Sequence, residues 1–250
     1  MMQFDLRGKR ALITGSTQGI GYAVADCFAE HGAEVYVHCS RDSEKAWRIA
    51  EELHKNTGVV VHGIAADLAN ADAAQRLYEM TGDVDILICN ASVQYRRAWD
   101  EIPPDEYEMQ MNVNLRSTLC LMQTYIPSMQ KRRWGRVLNI GSVQQTKPHT
   151  QMAVYAASKC AIASLTENIA GQVAADGVNV NMLLPGVIAT PRNDAALSDP
   201  DYREQVLAKI PAGYVGEAED CAAAALLLCS DAGRYITGSA LFVDGGLLIS

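Results

Sequence analysis

Residues 10–21 read RALITGSTQGIG, a short apolar run that leads through three glycines into an apolar helix. Glycines between a strand and a helix let the backbone approach an anion closely, and the free N–H groups of the helix attract negative charge. The spacing G-x-x-x-G-x-G meets the better known G-x-G-x-x-G fingerprint only in part, and a tight turn without a ligand is the alternative. The segment predicts a pyrophosphate-binding loop formed by Gly15, Ser16, Thr17, Gln18, Gly19, Ile20 and Gly21.

Short β-branched or apolar runs alternate with longer stretches of helical period along the rest of the chain. This alternation is typical of βαβ units, so we expect an α/β fold, a Rossmann-type doubly wound seven-stranded parallel sheet with helices on both faces. The predicted strands are Arg10–Thr14, Glu34–His38, Val59–Ala65, Ile86–Cys89, Arg136–Ile140, Val178–Leu184 and Ala240–Val243. The predicted helices are Ile20–His31, Ser43–Thr57, Ala71–Thr81, Pro104–Gln130, Ala153–Ala175 and Glu217–Ser230. We expect one dinucleotide-binding domain over residues 1–250, with a mobile substrate lid at about 186–216.

Composition excludes several classes of partner. The chain has 250 residues, 49% of them hydrophobic, and its 21 Lys+Arg against 29 Asp+Glu give a net charge of −8. An acidic chain is poorly suited to bind nucleic acid or an anionic membrane surface.

The longest apolar run, Cys221–Cys229, is too short to cross a bilayer, and the first residues do not resemble a secretory signal. The seven cysteines lack C-x-x-C spacing and the histidines lack paired spacing, so we expect a cytoplasmic protein without metal or disulfides.

The residues after the second predicted strand address the choice of cofactor. An acidic side chain there would accept the 2′-hydroxyl of NAD, but this chain has Cys39-Ser40-Arg41. Ser40 and Arg41 can donate to a 2′-phosphate, which predicts NADP(H) in preference to NAD(H). The alternative is that Arg41 is a solvated surface residue.

Three residues form a candidate catalytic group. Tyr155 and Lys159 are four residues apart in a predicted helix, which puts both side chains on one face. A nearby ammonium favours the tyrosine anion, so the pair is suited to donate and accept a proton near neutral pH. Ser142 follows the strand Arg136–Ile140, at the edge of the sheet where ligands of open α/β folds bind.

These motifs carry a family resemblance. In chain order they are the glycine loop, Asn90-Ala91-Ser92, Asn114, Ser142, Tyr155 with Lys159, Pro185-Gly186 and Val243-Asp244-Gly245-Gly246. Together they resemble the short-chain dehydrogenase/reductase family, over essentially the whole chain. The resemblance implies an NAD(P)(H)-dependent oxidoreductase that interconverts a carbonyl and a secondary alcohol. It also implies a homotetramer assembled through the two long predicted helices, although the sheet can bury their apolar faces as readily as a partner.

The resemblance also implies roles for single residues. Tyr155 would be the acid/base, while Lys159 would bind the nicotinamide ribose and lower the tyrosine pKa. Ser142 would hydrogen-bond the substrate oxygen where negative charge develops. Asn114 would hold a water that links Lys159 to solvent, with Asn112 as the competing assignment.

Further residues are expected to touch the cofactor. Asp67 and Leu68 would contact the adenine. Asn90, Ile188 and Thr190 would border the ribose and nicotinamide, and Ala91, Pro185 and Gly186 are also expected to contact the cofactor. Ser92 departs from the family, which usually has glycine there, and a positive φ at this position would strain a serine.

Substrate identity is the least determined property. The expected substrate mouth carries Gln94, Arg96, Trp99, Gln144, Gln145, His149 and Asn193. Amide and cationic groups favour a sugar, a polyol or a small hydroxy/keto compound over a steroid, unless these side chains simply face water. One alternative is a 3-oxoacyl carrier-protein reductase that docks an acidic carrier through Lys131–Arg133, although Gly171-Gln172 stands where such enzymes tend to have an arginine. Another is a catalytically silent, cofactor-binding interaction protein.

Overall fold

The computed structural model describes residues 4–250 and contains one parallel sheet of seven strands in the order β3-β2-β1-β4-β5-β6-β7. The strands are β1 Arg10–Ile13, β2 Glu34–Cys39, β3 Val61–Ala65, β4 Ile86–Cys89, β5 Gly135–Ile140, β6 Val178–Pro185 and β7 Ala240–Val243. All seven predicted strands are confirmed. Continuous runs of β-branched and aliphatic residues are typical of parallel strands that are buried on both faces.

Helices cover both faces of the sheet, which confirms the doubly wound architecture. They are α1 Gly19–Glu30, α2 Ser43–Thr57, α3 Ala73–Thr81, α4 Pro104–Gln110, α5 Ser117–Arg132, α6 Ala153–Val173, α7 Asp194–Leu197, α8 Pro200–Leu207 and α9 Ala218–Cys229. Successive residues of β1 point to opposite faces, so Ile13 packs with α1 and α9 whereas Leu12 packs with α3, α5 and α6. Two apolar layers therefore hold the central strands in place.

The predicted helix Pro104–Gln130 differs from the structure, in which a π-helical stretch, Met111–Arg116, separates α4 from α5. The Ser117 N–H donates to the carbonyl of Asn112, one residue further back than in an α-helix. Single π turns inside helices occur frequently at functional sites, and this one carries Asn114. The segment 186–216 also contains more structure than its weak periodicity indicates, namely α7 and α8.

The strand order reverses at β1, which pairs with β2 on one side and β4 on the other. Loops that leave β1 and β4 therefore diverge and open a crevice at the carboxyl edge of the sheet. Thr14 and Asn90 immediately follow these two strands. The fold thus places the predicted site residues around one crevice.

Gly63 on β3 provides a test of this packing. A Cβ there would lie 2.5 Å from the Ala46 carbonyl carbon and the Trp47 nitrogen of α2. Because α2 would have to move, Gly63→Ala should lower the free energy of unfolding by about 1–3 kcal/mol, measured by urea denaturation. The matched change Gly171→Ala lies on an exposed face of α6 with no atom within 4 Å. It should instead gain up to about 1 kcal/mol of helix stability. A Gly63→Ala protein as stable as the unsubstituted one would contradict this packing.

Candidate functional site

A cleft of about 900 Å³ runs along the carboxyl edge of the sheet. Nearly all of the predicted site residues line it, namely Gly15, Thr17, Gln18, Gly19, Ile20, Gly21, Ser40, Arg41, Asp67, Leu68, Asn90, Ala91, Gln94, Arg96, Ser142, Gln144, His149, Tyr155, Lys159, Pro185, Gly186, Ile188, Thr190 and Asn193. Ser16, Asn114, Trp99 and Gln145 lie outside it. The volume suits a cofactor together with a small second ligand.

The glycine loop is attached to the loop after β4 by one hydroxyl. Thr14 Oγ1 accepts the N–H groups of Asn90 and Ala91, each at 3.0 Å, and donates to the carbonyl of Ile88 at 3.1 Å. The Asn90 side chain donates in turn to the carbonyls of Thr14 and Gly15, at 2.9 and 3.0 Å. The two loops at the strand reversal are therefore one rigid unit.

Ser16 supports the glycine loop from behind. Its buried hydroxyl donates to the Ile13 carbonyl at 2.7 Å and accepts the His38 N–H at 2.9 Å. These bonds leave the Ser16 hydroxyl engaged away from the cleft, unlike the hydroxyl of Thr17, which lies at the cleft wall.

His38, at the end of β2, is a supporting residue that sequence reasoning missed. Its Nδ1 accepts the Gly15 N–H at 3.0 Å, while Nε2 donates to the Ala66 carbonyl at 2.9 Å. Burial lowers the pKa of His38 to about 4, so the ring is neutral at pH 7. The only sequence signal was its place in the strand before the ribose-binding position.

The N-terminus of α1 is suited to an anion. No side chain caps it, since the Gln18 side chain makes no capping hydrogen bond and the first turn has no acidic residue. Its first backbone N–H groups therefore have no partner within the helix, and the helix dipole adds positive potential. A Cβ at Gly21 would lie 2.5 Å from Asn90 Nδ2, so the turn tolerates no side chain there.

Two cations lie beyond β2: Arg41 follows the strand, and Lys45 lies in the first turn of α2. Arg41 donates through Nε and Nη2 to Asp67 Oδ2 at 2.9 and 2.8 Å, with 78% of its side chain exposed. Burial raises the pKa of Asp67, but hydrogen bonds from the Ala69 N–H and from Arg41 outweigh it and lower the pKa overall. Lys45, which sequence reasoning missed, donates to Gln18 Oε1 at 3.0 Å and lines the cleft. Its signal was a second cation one helical turn beyond Arg41.

Tyr155 and Lys159 project from one face of α6 into the inner end of the cleft. Lys159 is 2% exposed and its Nζ donates to the Ile140 carbonyl at 2.6 Å. Burial, with repulsion from Arg192, lowers the pKa of Lys159 to about 7. A buried ammonium with this pKa is well placed to gain or lose a proton near neutrality.

The expected lowering of the tyrosine pKa by Lys159 is not what the structure shows. Burial raises the pKa of Tyr155, and this effect is only partly opposed by Arg192, Ser142 and Ser92, which face the hydroxyl. Lys159 Nζ lies 5.6 Å from the ring centroid, and its proton is engaged by a backbone carbonyl. The charge that most favours the Tyr155 anion is therefore that of Arg192.

Asn114 is buried outside the cleft and connects neighbouring segments. Its side chain accepts the Val93 N–H at 2.8 Å and donates to the Val93 carbonyl at 3.0 Å and to Ser158 Oγ at 3.2 Å. Ser158 donates in turn to the Tyr155 carbonyl at 2.7 Å. Asn114 thus ties the π turn to the loop after β4 and to α6, which favours it over Asn112 as the functional asparagine.

Ser92 and Arg192 form a contact that sequence reasoning missed. Arg192 donates through Nη1 to Ser92 Oγ at 3.1 Å and through Nη2 to the Ser92 carbonyl at 2.8 Å. Within residues 4–250 the only non-glycine residue with positive φ is Arg133, so serine at position 92 is not strained. The signal for Arg192 was its position beside Thr190 and Asn193, both already assigned to the cleft.

Residues 4–250 contain neither a metal-binding cluster nor a membrane-spanning helix. No group of three or more His, Cys, Asp or Glu side chains is placed to hold a metal ion. None of the helices in this range combines the length and apolarity needed to cross a bilayer.

Known proteins resemble the chain over its whole length. A family model described as enoyl-(acyl carrier protein) reductase matches residues 15–248. The 3-oxoacyl-[acyl-carrier-protein] reductase FabG of Haemophilus influenzae is 36% identical, covering 98% of this chain and 100% of the relative. The 2-dehydro-3-deoxy-D-gluconate 5-dehydrogenase of Bacillus subtilis is 35% identical, and the match covers 98% of this chain and 96% of the relative. A gluconate 5-dehydrogenase from Burkholderia cenocepacia, solved with NADP and tartrate, superposes with a TM-score of 0.92 at 34% identity and covers 99% and 98%.

The buried neutral His38 makes stability depend on pH. Because its pKa falls from 6.5 to about 4 on folding, the unfolded chain takes up a proton there between those values and the folded chain does not. The stabilisation is complete above pH 6.5 and is lost as the pH falls towards 4, by about 3 kcal/mol in all. In His38→Gln, the decrease in unfolding free energy between pH 7 and pH 4.5 should be smaller by about 2–3 kcal/mol. Urea denaturation at both pH values measures it, and equal decreases in both proteins would contradict the assignment.

Proposed function

Because the chain belongs to the short-chain dehydrogenase/reductase family, it is an oxidoreductase that interconverts a carbonyl and a secondary alcohol, and we propose that it does so with NADP(H) on a small polar substrate. The observation that carries the proposal is the convergence of Ser142, Tyr155 and Lys159 at the inner end of the cleft. When bound there, the nicotinamide supplies or accepts the hydride.

The catalytic roles follow from the position of each side chain. Tyr155 gives a proton to the carbonyl oxygen during reduction and removes it from the alcohol during oxidation. Ser142 donates to the same oxygen as negative charge develops on it. Lys159 holds the ribose hydroxyls beside Tyr155, and its pKa of about 7 lets it relay protons. Asn114 fixes the π turn and α6 relative to each other and borders the water path from Lys159.

The residues of the cleft fit a dinucleotide. The uncapped N-terminus of α1, with no side chain at Gly21, offers backbone N–H groups to the pyrophosphate. Asp67 and Leu68 border the adenine end of the cleft. The nicotinamide half is bordered by Asn90, Ala91, Pro185, Gly186, Ile188 and Thr190.

A preference for NADP(H) over NAD(H) is proposed from the charges at the adenine end. Ser40, Arg41 and Lys45 all line the cleft there, and a 2′-phosphate beside them would gain charge-assisted hydrogen bonds. The Arg41 side chain is exposed and close to Asp67, so it can turn from the carboxylate to the phosphate at little cost.

A second candidate is 3-oxoacyl carrier-protein reductase, the activity named for the Haemophilus influenzae relative. The docking cations it would need are partly engaged within the chain. Arg132 donates to the Val84 carbonyl at 2.6 Å and pairs with Asp83, while Arg133 donates to the Ala175 carbonyl at 2.8 Å. These contacts favour the small polar substrate. A silent binding protein is disfavoured by the intact catalytic set.

Three properties of the whole chain complete the proposal. We propose one domain, residues 1–250, whose segment 186–216 with α7 and α8 closes over the substrate. We propose a homotetramer formed through α5 and α6; Met122 and Ile126 of α5 pack under the sheet, which leaves the partly exposed Leu119 for a partner. We propose a cytoplasmic location, since all seven cysteines are free thiols.

Tyr155→Phe tests the activity. The variant keeps the ring and its packing but lacks the transferable proton, so turnover should fall by about 10²–10⁴-fold or more while NADPH still binds. The measurement is absorbance at 340 nm with polyols, hydroxy acids, α-diketones, acetoacetyl thioesters and steroid ketones, together with NADPH fluorescence for binding. Preferential turnover of acetoacetyl thioesters would favour the second candidate. Comparable turnover in the variant would remove Tyr155 from the mechanism.

Arg41→Ala tests the choice of cofactor. Loss of a charge-assisted contact worth about 1.5–3 kcal/mol should raise the Kd for NADPH by roughly 10- to 100-fold and leave the Kd for NADH nearly unchanged. Arg48→Ala on the exposed face of α2, outside the cleft, is the matched control and should change neither Kd. Equal effects of Arg41→Ala on both cofactors would contradict the proposed preference.

A further inference from the structure

The cleft has a charge opposite to that of the chain. Although the net charge is −8, the cleft is lined by seven Lys or Arg residues and a single carboxylate, Asp67, which is paired with Arg41. Two of the cations lie at the adenine end and Lys159 lies beside Tyr155. The other four surround the substrate end, namely Arg96, Lys147, Arg192 and Lys209. No Asp or Glu lines that end, so the field there favours an anionic ligand.

Among these cations, Arg192 lies at the reacting centre. It lines the cleft together with Tyr155, and its positive charge favours the Tyr155 anion, which lowers the pKa of that hydroxyl against the larger effect of burial. Ser92 accepts two of its hydrogen bonds, which fix the plane of the guanidinium. A guanidinium has five N–H donors, so three remain. Within residues 4–250, no carboxylate lies within 4 Å of Arg192, whereas Arg97 has one and Arg132 has two.

Other cations of the substrate end are placed less directly. Lys147 Nζ donates to the carbonyls of Leu247 and Ser250, at 2.7 and 3.1 Å. Arg96 and Lys209 lower the pKa of His149, after the larger effect of burial, so they act on the mouth of the cleft. Lys147 is thus engaged by backbone oxygens, whereas Arg192 is the cation of the substrate end whose charge acts on Tyr155.

Gln144 adds a second unsatisfied group at the same end. Its Oε1 is buried and accepts no hydrogen bond in the structure. The Gln144 N–H donates to Ser142 Oγ at 3.2 Å, so this residue adjoins the catalytic serine. A buried acceptor without a donor is costly, and the hydroxyl of a ligand in the cleft would satisfy it.

We infer that Arg192 binds the carboxylate of the substrate in a bidentate manner, and that the substrate is a 2- or 3-hydroxy acid or the corresponding keto acid. Arg192 and Tyr155 line the same cleft, so the proposed carboxylate is separated from the reacting carbon by only one or two bonds. Gln144 Oε1 accepts from a second hydroxyl where one is present. Neutral polyols and steroids offer Arg192 no negative charge and no bidentate carboxylate acceptor.

The reaction balances with the cofactor already proposed, on which this inference rests. In oxidation, the C–H bond of the alcohol carbon breaks and its hydride passes to NADP⁺, while the hydroxyl proton passes to the Tyr155 phenolate and then to solvent. The hydroxy acid becomes the keto acid, with NADPH and one proton as the other products. The carboxylate is unchanged, so Arg192 acts on specificity and orientation.

The test compares each acid with its amide, using 2-hydroxybutyrate, 3-hydroxybutyrate and tartrate. We expect the ratio of kcat/KM for the best acid to that for its amide to be about 100 or more, and to fall about 100-fold in Arg192→Gln. Arg192→Lys should be intermediate, because it keeps the charge but not the planar fork. Arg203→Gln removes the same charge from the exposed face of α8, outside the cleft, and should leave the ratio unchanged.

Two further measurements do not depend on turnover by the unsubstituted active site. Guanidinium ion should restore part of the acid turnover in Arg192→Ala but not in Tyr155→Phe. Thermal shifts of Tyr155→Phe loaded with NADPH should show binding of the acid but not of its amide, and Arg192→Gln in that background should abolish the difference.

The inference is overturned if neither turnover nor binding distinguishes an acid from its amide, or if Arg192→Gln weakens both alike. Failure of the underlying activity gives a different result, namely absent NADPH binding or turnover that survives Tyr155→Phe.

Discussion

The hydroxyl of Thr14 connects the two loops on which the cleft depends. Strand order reverses at β1, so the chain leaving β1 and the chain leaving β4 move apart, and nothing in the sheet ladder joins them. Thr14 Oγ1 accepts two hydrogen bonds from the loop after β4 and donates one to β4. The Asn90 side chain donates two hydrogen bonds to the carbonyls of Thr14 and Gly15. The crevice opened by topology therefore has fixed walls, which is the condition for a preorganised ligand site.

Burial, more than pairing of opposite charges, sets the protonation of the site. It keeps His38 neutral beneath the glycine loop, brings the pKa of Lys159 to about 7 and raises that of Tyr155. The single carboxylate of the cleft lies at the adenine end. Arg192, on the segment after β6, is the charge that most favours the Tyr155 anion, so the pKa of Tyr155 depends on a residue outside its own helix.

The sequence predicted the strands and most cleft residues because both depend on local patterns. Buried aliphatic runs define strands, and the positions that follow parallel strands meet at one edge. Features that depend on nonlocal contacts were not predictable in this way. The π turn carries Asn114, whose side chain bonds to the loop after β4 and to α6. His38 accepts a hydrogen bond from the glycine loop only because β2 lies beside that loop in the folded chain. The position of Arg192 depends on its contact with Ser92, which lies 100 residues earlier in the chain. The sequence pattern marks Ser92 only as a departure from the family.

The segment after β6 contacts both halves of the cleft. Thr190 lies against the glycine loop, where a Cβ on Gly19 would be 3.2 Å from its Cγ2, and Arg192, two residues later, reaches Ser92 beside the catalytic tyrosine. Under the proposed function, a displacement of this short stretch would change the cover over the pyrophosphate and the contact with the substrate together. Release of the two products would then depend on one stretch of backbone rather than on two independent gates.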